Sequence, residues 1–180
     1  MTSAIAMEPV AAGRAETLSH EQFEAFYGRT AHALRSYICR VAGNPALADD
    51  ILQESYIRLL SAPAMLDAQR KSYLYRTATN LVTDHHRAQS RRRRWWQLTP
   101  PRQEAADSPV ELSTDMERLF ALVSSQERAL LWLAYVEGEG HSEIAEILGL
   151  REKSVKVLLF RARRKMETIL KDHGFEAGYE

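Results

Sequence analysis

The feature of this chain that most restricts its fold is a helix-turn-helix spacing near the C-terminus. Ala145, Gly149 and Val155 fall where that motif needs a small residue, a left-handed turn residue and a buried β-branched residue. Glycine adopts a positive φ without steric penalty, and alanine lets a second helix approach closely. Apolar residues at helical spacing surround them: Ile144, Ile147, Leu148 and Leu150. The pattern predicts a helix, a sharp stop and a second helix packed across the first.

The second helix of this motif is basic. Residues 151–171 carry eight Lys or Arg residues against two acids, and residues 70–94 carry eight against one. Residues 102–146 hold only three bases against ten acids, so the formal net charge of the whole chain is zero. Two basic zones separated by an acidic one favour two nucleic-acid contacts, with a protein-facing or self-masking segment between them. The alternative is a set of solvated helix faces.

Proline positions and charge divide the chain into two helical domains. Residues 97–109 contain three prolines and no apolar periodicity, which predicts a flexible linker. We expect an all-α protein with domains at 18–95 and 114–173, joined by a linker at 96–113 and preceded by a disordered extension at 1–17. The sequence has no apolar run long enough for a signal peptide or a membrane span, so a cytoplasmic location is expected.

The sequence indicates no metal, cofactor or enzymatic centre. Cys39 is the only cysteine, which excludes an intrachain disulfide and a multi-cysteine metal site. His85 and His86 have no partner at a ligand spacing. Clustered carboxylates, a histidine with a general-base partner and a phosphate-cradling glycine loop are also missing. We therefore expect no catalytic residue, no cofactor and no metal.

An acidic helix follows the first amphipathic helix, which ends near Gly43. Asn44 and Pro45 predict the N-cap and first-turn proline of this new helix, which reaches about Leu60. Its inner stripe is Ala48, Ile51, Leu52, Ser55 and Leu59, and its outward residues are Asp49, Asp50, Gln53 and Glu54. The two aspartates could complement the positive helix end, but Glu54 lies too far along for that. Local stability therefore does not explain the whole acidic face.

A third helix is predicted from about Lys71 to Arg91, after a loop that includes residues 67–70. Its buried side is Leu74, Ala78, Leu81 and His85. A second face, turned by roughly 100°, carries Tyr73, Arg76, Asn80, Asp84 and Arg87. An aromatic ring, cations and an amide together suit single-stranded or melted nucleic acid, in which bases stack on rings and phosphates meet arginine.

Four stretches carry a family resemblance: Asn44-Pro-Ala-Leu-Ala-Asp-Asp-Ile-Leu-Gln-Glu54, Tyr73-Leu-Tyr-Arg-Thr-Ala-Thr-Asn-Leu-Val-Thr-Asp-His85, Glu143-Ile-Ala-Glu-Ile-Leu-Gly149 and Arg161-Ala-Arg163. In these stretches the chain resembles the extracytoplasmic-function sigma factors of bacterial RNA polymerase, which are group IV of the sigma-70 family. Order and spacing agree over most of the chain, linker included. The resemblance implies a region 2 helical bundle followed by a region 4 helix-turn-helix domain.

The resemblance also implies roles for the N-terminal domain. In that family the acidic helix docks on the clamp helices of the polymerase β′ subunit, which gives a purpose to Asp49, Asp50, Gln53 and Glu54. The third helix and the loop before it bind the non-template strand of the −10 promoter element as it melts. The candidates for that contact are Lys71, Tyr73, Arg76, Asn80 and Arg87. A base extruded from the duplex is held in a pocket that offsets the cost of unstacking.

For the C-terminal domain, the resemblance implies entry into the major groove of the −35 element. The candidate contacts are Arg151, Lys153, Ser154, Lys156, Arg161 and Arg164. The linker would thread toward the RNA exit path, and the β flap is a further polymerase contact. An anti-sigma factor is another candidate partner, and no membrane insertion is expected.

Some positions depart from the family pattern. Ser124 and Glu127 form a capping box in place of the usual proline-containing helix start, and Gly140 replaces a stronger cap before the next helix. Val157 and Phe160 are expected to face the groove side, to contact thymine methyl groups or to form a surface covered by a partner; the alternative is a broader core. The two tryptophans at 95 and 96 could anchor on polymerase or fold back on the N-terminal domain, and the fold-back is expected.

Two other classes of protein share some of these features. A helix-turn-helix regulator that binds DNA without polymerase would have the same C-terminal motif, but more naturally a ligand pocket or dimer helix in place of the acidic face. An RNA-binding protein or nuclease would share only the basic zones. Binding to a promoter without core polymerase would indicate the regulator.

Overall fold

The computed structural model describes residues 18–98 and 115–175, and both segments are helical. The N-terminal domain consists of α1 (His20–Ala42), a 3-10 turn (Pro45–Leu47), α2 (Ala48–Leu60) and α3 (Asp67–Leu98). The C-terminal domain consists of α4 (Asp115–Ala121), α5 (Ser125–Tyr135), α6 (His141–Leu148) and α7 (Glu152–Asp172). The expected all-α class is confirmed. The predicted extension at 1–17 and most of the predicted linker lie outside the described residues.

The junction between α1 and α2 follows the predicted chemistry. Gly43 has φ 66° and donates its N–H to the Cys39 carbonyl at 3.1 Å, which ends α1. The Asn44 side chain accepts from the Ala46 N–H at 3.0 Å, and Pro45 occupies the first position of the 3-10 turn. All five residues of the predicted inner stripe of α2 are buried, together with Tyr56.

Helix α3 is longer than the predicted third helix at both ends. The prediction of a loop at residues 67–70 is wrong, because Asp67 begins the helix, where its charge suits the positive helix end, and forms an ion pair with Arg70 at 3.1 Å. At the other end, α3 continues through the arginine run to Leu98. Arginine is a good helix former, and the next residue that disfavours the helical region is the one that precedes Pro100. The predicted boundary between 95 and 96 therefore falls inside this helix.

The helix-turn-helix motif forms as predicted. Gly149 has φ 63° and ends α6, and Val155 is fully buried on α7. Ser124 caps α5: its hydroxyl accepts from the Glu127 N–H at 3.3 Å, and the Glu127 carboxylate accepts from the Ser124 N–H at 2.7 Å. Gly140 caps α6 without a side-chain hydrogen bond.

The two domains pack against each other, which the sequence did not predict. Helix α1 lies against α5, and α3 lies against α6. One buried apolar cluster therefore continues from Leu34 and Leu74 in the N-terminal domain to Leu133 and Ile144 in the C-terminal domain. A smaller cluster joins α5 to α7 through Leu131, Ala162 and Met166. No helix in the described part of the chain is long and apolar enough to cross a membrane.

Candidate nucleic-acid and protein interfaces

The acidic face of α2 is exposed, as predicted. Asp49 accepts two hydrogen bonds from Arg35, at 2.7 and 3.1 Å, and this guanidinium lowers the pKa of the Asp49 carboxyl. Glu54 pairs with Arg58 one turn later, at 2.7 Å. Asp50 and Gln53 lie exposed between these two ion pairs. The face thus presents carboxylates to solvent, and two of them are already oriented by arginines.

The predicted nucleic-acid face of α3 is also present. Arg76, Asn80 and Arg87 are exposed, and Tyr73 is half-buried at one end of the same face. These residues are three, four or seven positions apart, so they share one side of the helix. Asp84 lies among them, with its carboxylate 3.9 Å from Arg87. The face combines two guanidinium groups, an amide and an aromatic ring, a set that can contact both phosphates and bases.

Lys71 is separated from these four residues. It lies on the opposite side of α3, where its Nζ is 5.7 Å from the centre of the Tyr75 ring. Its ammonium donates a hydrogen bond to Glu139 at 2.7 Å and lies 3.3 Å from the Glu137 carboxylate. Burial alone would lower the pKa of Lys71, but the hydrogen bond and charge of Glu139, together with Glu137, raise it above its ordinary value. In this structure the positive charge of Lys71 is neutralised by the C-terminal domain.

A polar cleft of about 1160 Å³ lies between α3 and the start of α5. Asn80 and Arg87 line one wall of the cleft, together with Arg91 and Arg94 further along α3. Ser125 and Arg128 line the opposite wall. Two buried polar atoms in this part of the molecule have no hydrogen-bond partner: His86 Nε2 and Arg128 Nε. Two of the residues predicted to meet melted DNA, Asn80 and Arg87, therefore face the C-terminal domain across the cleft.

The basic face of α7 is exposed. Lys153, Lys156 and Arg164 lie along one side of the helix, with Arg161 beside them and Ser154 half-buried at the edge. Arg151 is the N-cap of α7, and its carbonyl accepts from the Ser154 N–H at 2.8 Å. The opposite side of α7 is buried through Val155, Ala162 and Met166. The structure thus exposes the predicted contacts along the second helix of the motif, from its N-cap to its middle.

Two apolar side chains share this basic face. Val157 is 49% exposed and Phe160 is 53% exposed, whereas Leu158 and Leu159 are half-buried against the core. The guanidinium of Arg163 lies 5.8 Å from the Phe160 ring centre. The alternative of a broader core is wrong for these two residues.

The expectation that the tryptophans fold back on the N-terminal domain is wrong for Trp95, which is 75% exposed. It lies within the helical part of α3, where no loop returns the chain to the bundle. The side chain of Trp96 lies outside the described residues.

Sequence reasoning missed the polar contacts between the domains. The guanidinium of Arg128 is buried and donates to three carbonyls: Phe120 at 3.2 Å, Val123 at 2.8 Å and Val41 at 3.1 Å. The Ser125 hydroxyl donates to the same Val41 carbonyl at 2.9 Å. The excess of acids in residues 102–146 indicated that this segment could contact a basic group, but it did not identify Lys71 as that group.

Within the described residues, no group of three or more His, Cys, Asp or Glu side chains is placed to hold a metal ion. Cys39 is half-buried, and burial raises the pKa of its thiol above the ordinary value, so the reactive thiolate is disfavoured.

Comparison with known families matches both domains. A model of sigma-70 region 2 matches residues 26–92, and a model of sigma-70 region 4 matches residues 113–166. The first match covers the acidic face of α2 and most of α3. The second covers the helix-turn-helix motif and most of α7.

Curated relatives align with most of the chain. The RNA polymerase sigma factor SigL of Mycobacterium tuberculosis is 28% identical over 158 residues, which is 83% of this chain and 89% of the relative. SigW of Bacillus subtilis is 29% identical, over 74% of this chain and 80% of the relative. The ferric citrate uptake sigma factor FecI of Escherichia coli is 27% identical, over 83% and 91% of the two chains.

Two solved structures share the fold. One is the sigma factor RpoE of Bartonella quintana in complex with the anti-sigma factor NepR, with a TM-score of 0.67 and 18% identity over 84% of this chain and 98% of the other. The other is CnrH in complex with the cytosolic domain of CnrY, with a TM-score of 0.61 and 20% identity over 86% and 90% of the two chains.

Proposed function

We propose how this chain acts from one premise: it belongs to the extracytoplasmic-function sigma factors of the sigma-70 family, which are not enzymes and which direct transcription initiation. It binds core RNA polymerase, reads the −10 element with region 2 and reads the −35 element with region 4. The observation that carries this proposal is that each matched region presents an exposed basic helix face, one on α3 and one on α7.

Region 2 docks on polymerase through the acidic face of α2. Asp49, Asp50, Gln53 and Glu54 are the contacts, and the partner surface is the clamp helices of the β′ subunit. The inner side of α2 is fully occupied by the core, so its outer carboxylates are available to a basic partner. Exposed charges steer association more than they add affinity, and their contribution falls with salt.

Promoter recognition is divided between the domains. Tyr73, Arg76, Asn80 and Arg87 hold the melted −10 strand through stacking, phosphate contacts and an amide that pairs with a base edge. Lys71, on the opposite side of α3, is a separate phosphate contact once it is released from its carboxylate partners. The −35 duplex is read by α7 from its N-cap to its middle, and the contacts are Arg151, Lys153, Ser154, Lys156, Arg161 and Arg164. Region 4 also meets the β flap.

An anti-sigma factor is a proposed partner in the inactive state. Val157 and Phe160 form an exposed apolar pair beside cations, and both solved neighbours are complexes with a second protein. Light scattering of the purified chain and of Phe160→Ser tests the patch. Identical self-association of the two proteins would count against an adhesive surface there.

Transcription in vitro with core polymerase tests the main proposal. We expect the chain to direct initiation from a cognate promoter, and Asp50→Lys to lower core binding and transcript yield by about tenfold, because a cation then faces the basic partner surface. Glu24→Lys is the matched control, since it reverses an exposed acid on α1. Initiation that does not depend on the chain would overturn the proposal. Tight promoter binding without core polymerase would instead indicate a helix-turn-helix regulator.

A further inference from the structure

The turn between α5 and α6 places two carboxylates on one lysine of the other domain. Glu139 lies 2.7 Å from Lys71, and Glu137 lies 3.3 Å from it. The side chains of Glu137 and Glu139 are only 9% and 18% exposed, whereas that of Lys71 is 41% exposed. Partly desolvated pairs of this kind depend on both partners, because removal of one leaves an uncompensated charge. The contact is therefore selective for the closed arrangement of the two domains.

A second polar contact fixes the same arrangement from the other side of the interface. The Val41 carbonyl is in the last turn of α1, where carbonyl groups have no partner within the helix. Ser125 donates to it at 2.9 Å and Arg128 at 3.1 Å. Residues of the C-terminal domain thus complete the end of an N-terminal helix. Separation of the domains would return this carbonyl and the Arg128 guanidinium to water.

The closed arrangement also restricts the face of α3 that we assign to DNA. Asn80 and Arg87 line the interdomain cleft opposite Ser125 and Arg128. A DNA strand bound along this face would have to share the cleft with the start of α5. Lys71 is taken up by carboxylates at the same time. Both observations concern residues that the proposed function requires to be accessible.

We propose that the Glu137–Glu139 turn is an intramolecular latch, which holds region 4 against region 2 and competes with DNA phosphate for Lys71. The masking part of this inference rests on the proposed function, whereas the latch itself does not. The free chain is closed and binds the −10 strand weakly. Engagement of core polymerase and promoter separates the domains and frees Lys71. In terms of populations, the affinity of the free chain is reduced by the small fraction that is open.

The test compares two charge reversals in the full chain. Glu137→Lys with Glu139→Lys places three cations together at the latch. Glu143→Lys with Glu146→Lys is the matched control, since it makes the same change of charge at two exposed positions of the adjacent helix α6. Small-angle scattering measures the separation of the domains, and binding of a single-stranded −10 oligonucleotide measures the masking. Glu137→Gln with Glu139→Gln is a milder variant with similar side-chain volume.

We expect the latch variants to have a larger radius of gyration than the wild type and the control. We expect their affinity for the oligonucleotide to exceed that of the control by about tenfold, which would match a tenfold rise in the open fraction. Lys71→Glu, added to the lysine double variant, restores opposite charges and should close the molecule again.

Each other outcome contradicts a defined part of the proposal. Unchanged scattering of both latch variants, with the wild-type circular dichroism retained, would overturn the latch. Expansion without tighter oligonucleotide binding would overturn the masking of the −10 face. Polymerase-dependent transcription is a separate readout. If the wild-type chain directs no transcription but the latch variants still expand, the proposed function is refuted and the latch is not.

Discussion

Among single residues, two glycines are under opposite constraints: one lies inside α1 and the other ends it. Gly43 has φ 66°, and a Cβ placed there would lie 3.3 Å from Arg128 Nη2. Gly28 lies inside α1, and a Cβ placed there would meet no atom within 4 Å. The first glycine is needed by the backbone and by the neighbouring domain, whereas the second only lowers helix propensity.

The expected stability changes of these two glycines have opposite signs. Gly43→Ala should lower the free energy of unfolding by about 1–2 kcal/mol, because a left-handed conformation is costly for a residue with a Cβ. Gly28→Ala should raise it by about 0.5–1 kcal/mol through better helix propensity. Urea denaturation of both variants measures the difference. A rise in the free energy of unfolding for Gly43→Ala would show that the left-handed conformation at Gly43 is not limiting, and a fall for Gly28→Ala would contradict the propensity argument.

Residues whose role is local were predictable from sequence. The N-cap of α5 and the turn glycine of the helix-turn-helix depend on neighbours within four positions, and Ser124 and Gly149 behave as predicted. Arg128 was not predictable, because its carbonyl partners include Val41, which is 87 positions away. Burial lowers the pKa of the Arg128 guanidinium, and its partners are known only from the packing.

Among the helices, α3 of the N-terminal domain and α7 of the C-terminal domain have the same arrangement of faces. Each buries one side in the core and presents cations on another, and periodicity predicts both faces. Helix α3 is longer than predicted because the arginine run after residue 91 continues the helix. Charge does not end a helix in the way that proline or glycine does.

The basic start of α7 leads to a prediction about salt. Lys153→Ala should lower the slope of promoter affinity against salt concentration by about one, since each phosphate contact releases about one counterion. Lys171→Ala is the control, because this cation lies in the last turn of the same helix. Holoenzyme binding to promoter DNA at several salt concentrations gives both slopes. An equal decrease of the salt slope in the two variants would argue against a specific contact at Lys153.

For the molecule as a whole, the packing of the two domains decides which groups are accessible. The Val41 carbonyl accepts hydrogen bonds from the C-terminal domain, and His86 of α3 lines the same cleft as Val41 and Arg128. His86 therefore lies at the interface beside the Arg128 guanidinium. Burial first, then the charges of Arg128 and His85, lower the pKa of His86 below its ordinary value of 6.5, and the nearby Val41 backbone offsets only part of this.

This shift predicts that acid opens the molecule. The closed form binds a proton on His86 less readily than the open form. Its stability relative to the open form is therefore complete above pH 6.5 and decreases as the pH falls below that value. Scattering between pH 7.5 and pH 5.5 should show an increase in the radius of gyration. His86→Gln, which removes the titrating group, should reduce the pH response. A response of equal size in this variant would assign the effect to other groups.

The sequence by itself determined the helical class, the caps at Asn44 and Ser124, the turn of the helix-turn-helix motif and the exposed faces that carry charge. These features follow from interactions within a few residues and from periodicity, and both are visible in the sequence. Only the tertiary structure decided that the domains share a core, that Lys71 is neutralised by Glu137 and Glu139, and that Asn80 and Arg87 face the other domain. The physical reason is that ion pairs and buried carbonyl contacts between distant segments depend on how the helices dock. The spacing of the contacting residues along the chain does not encode that docking.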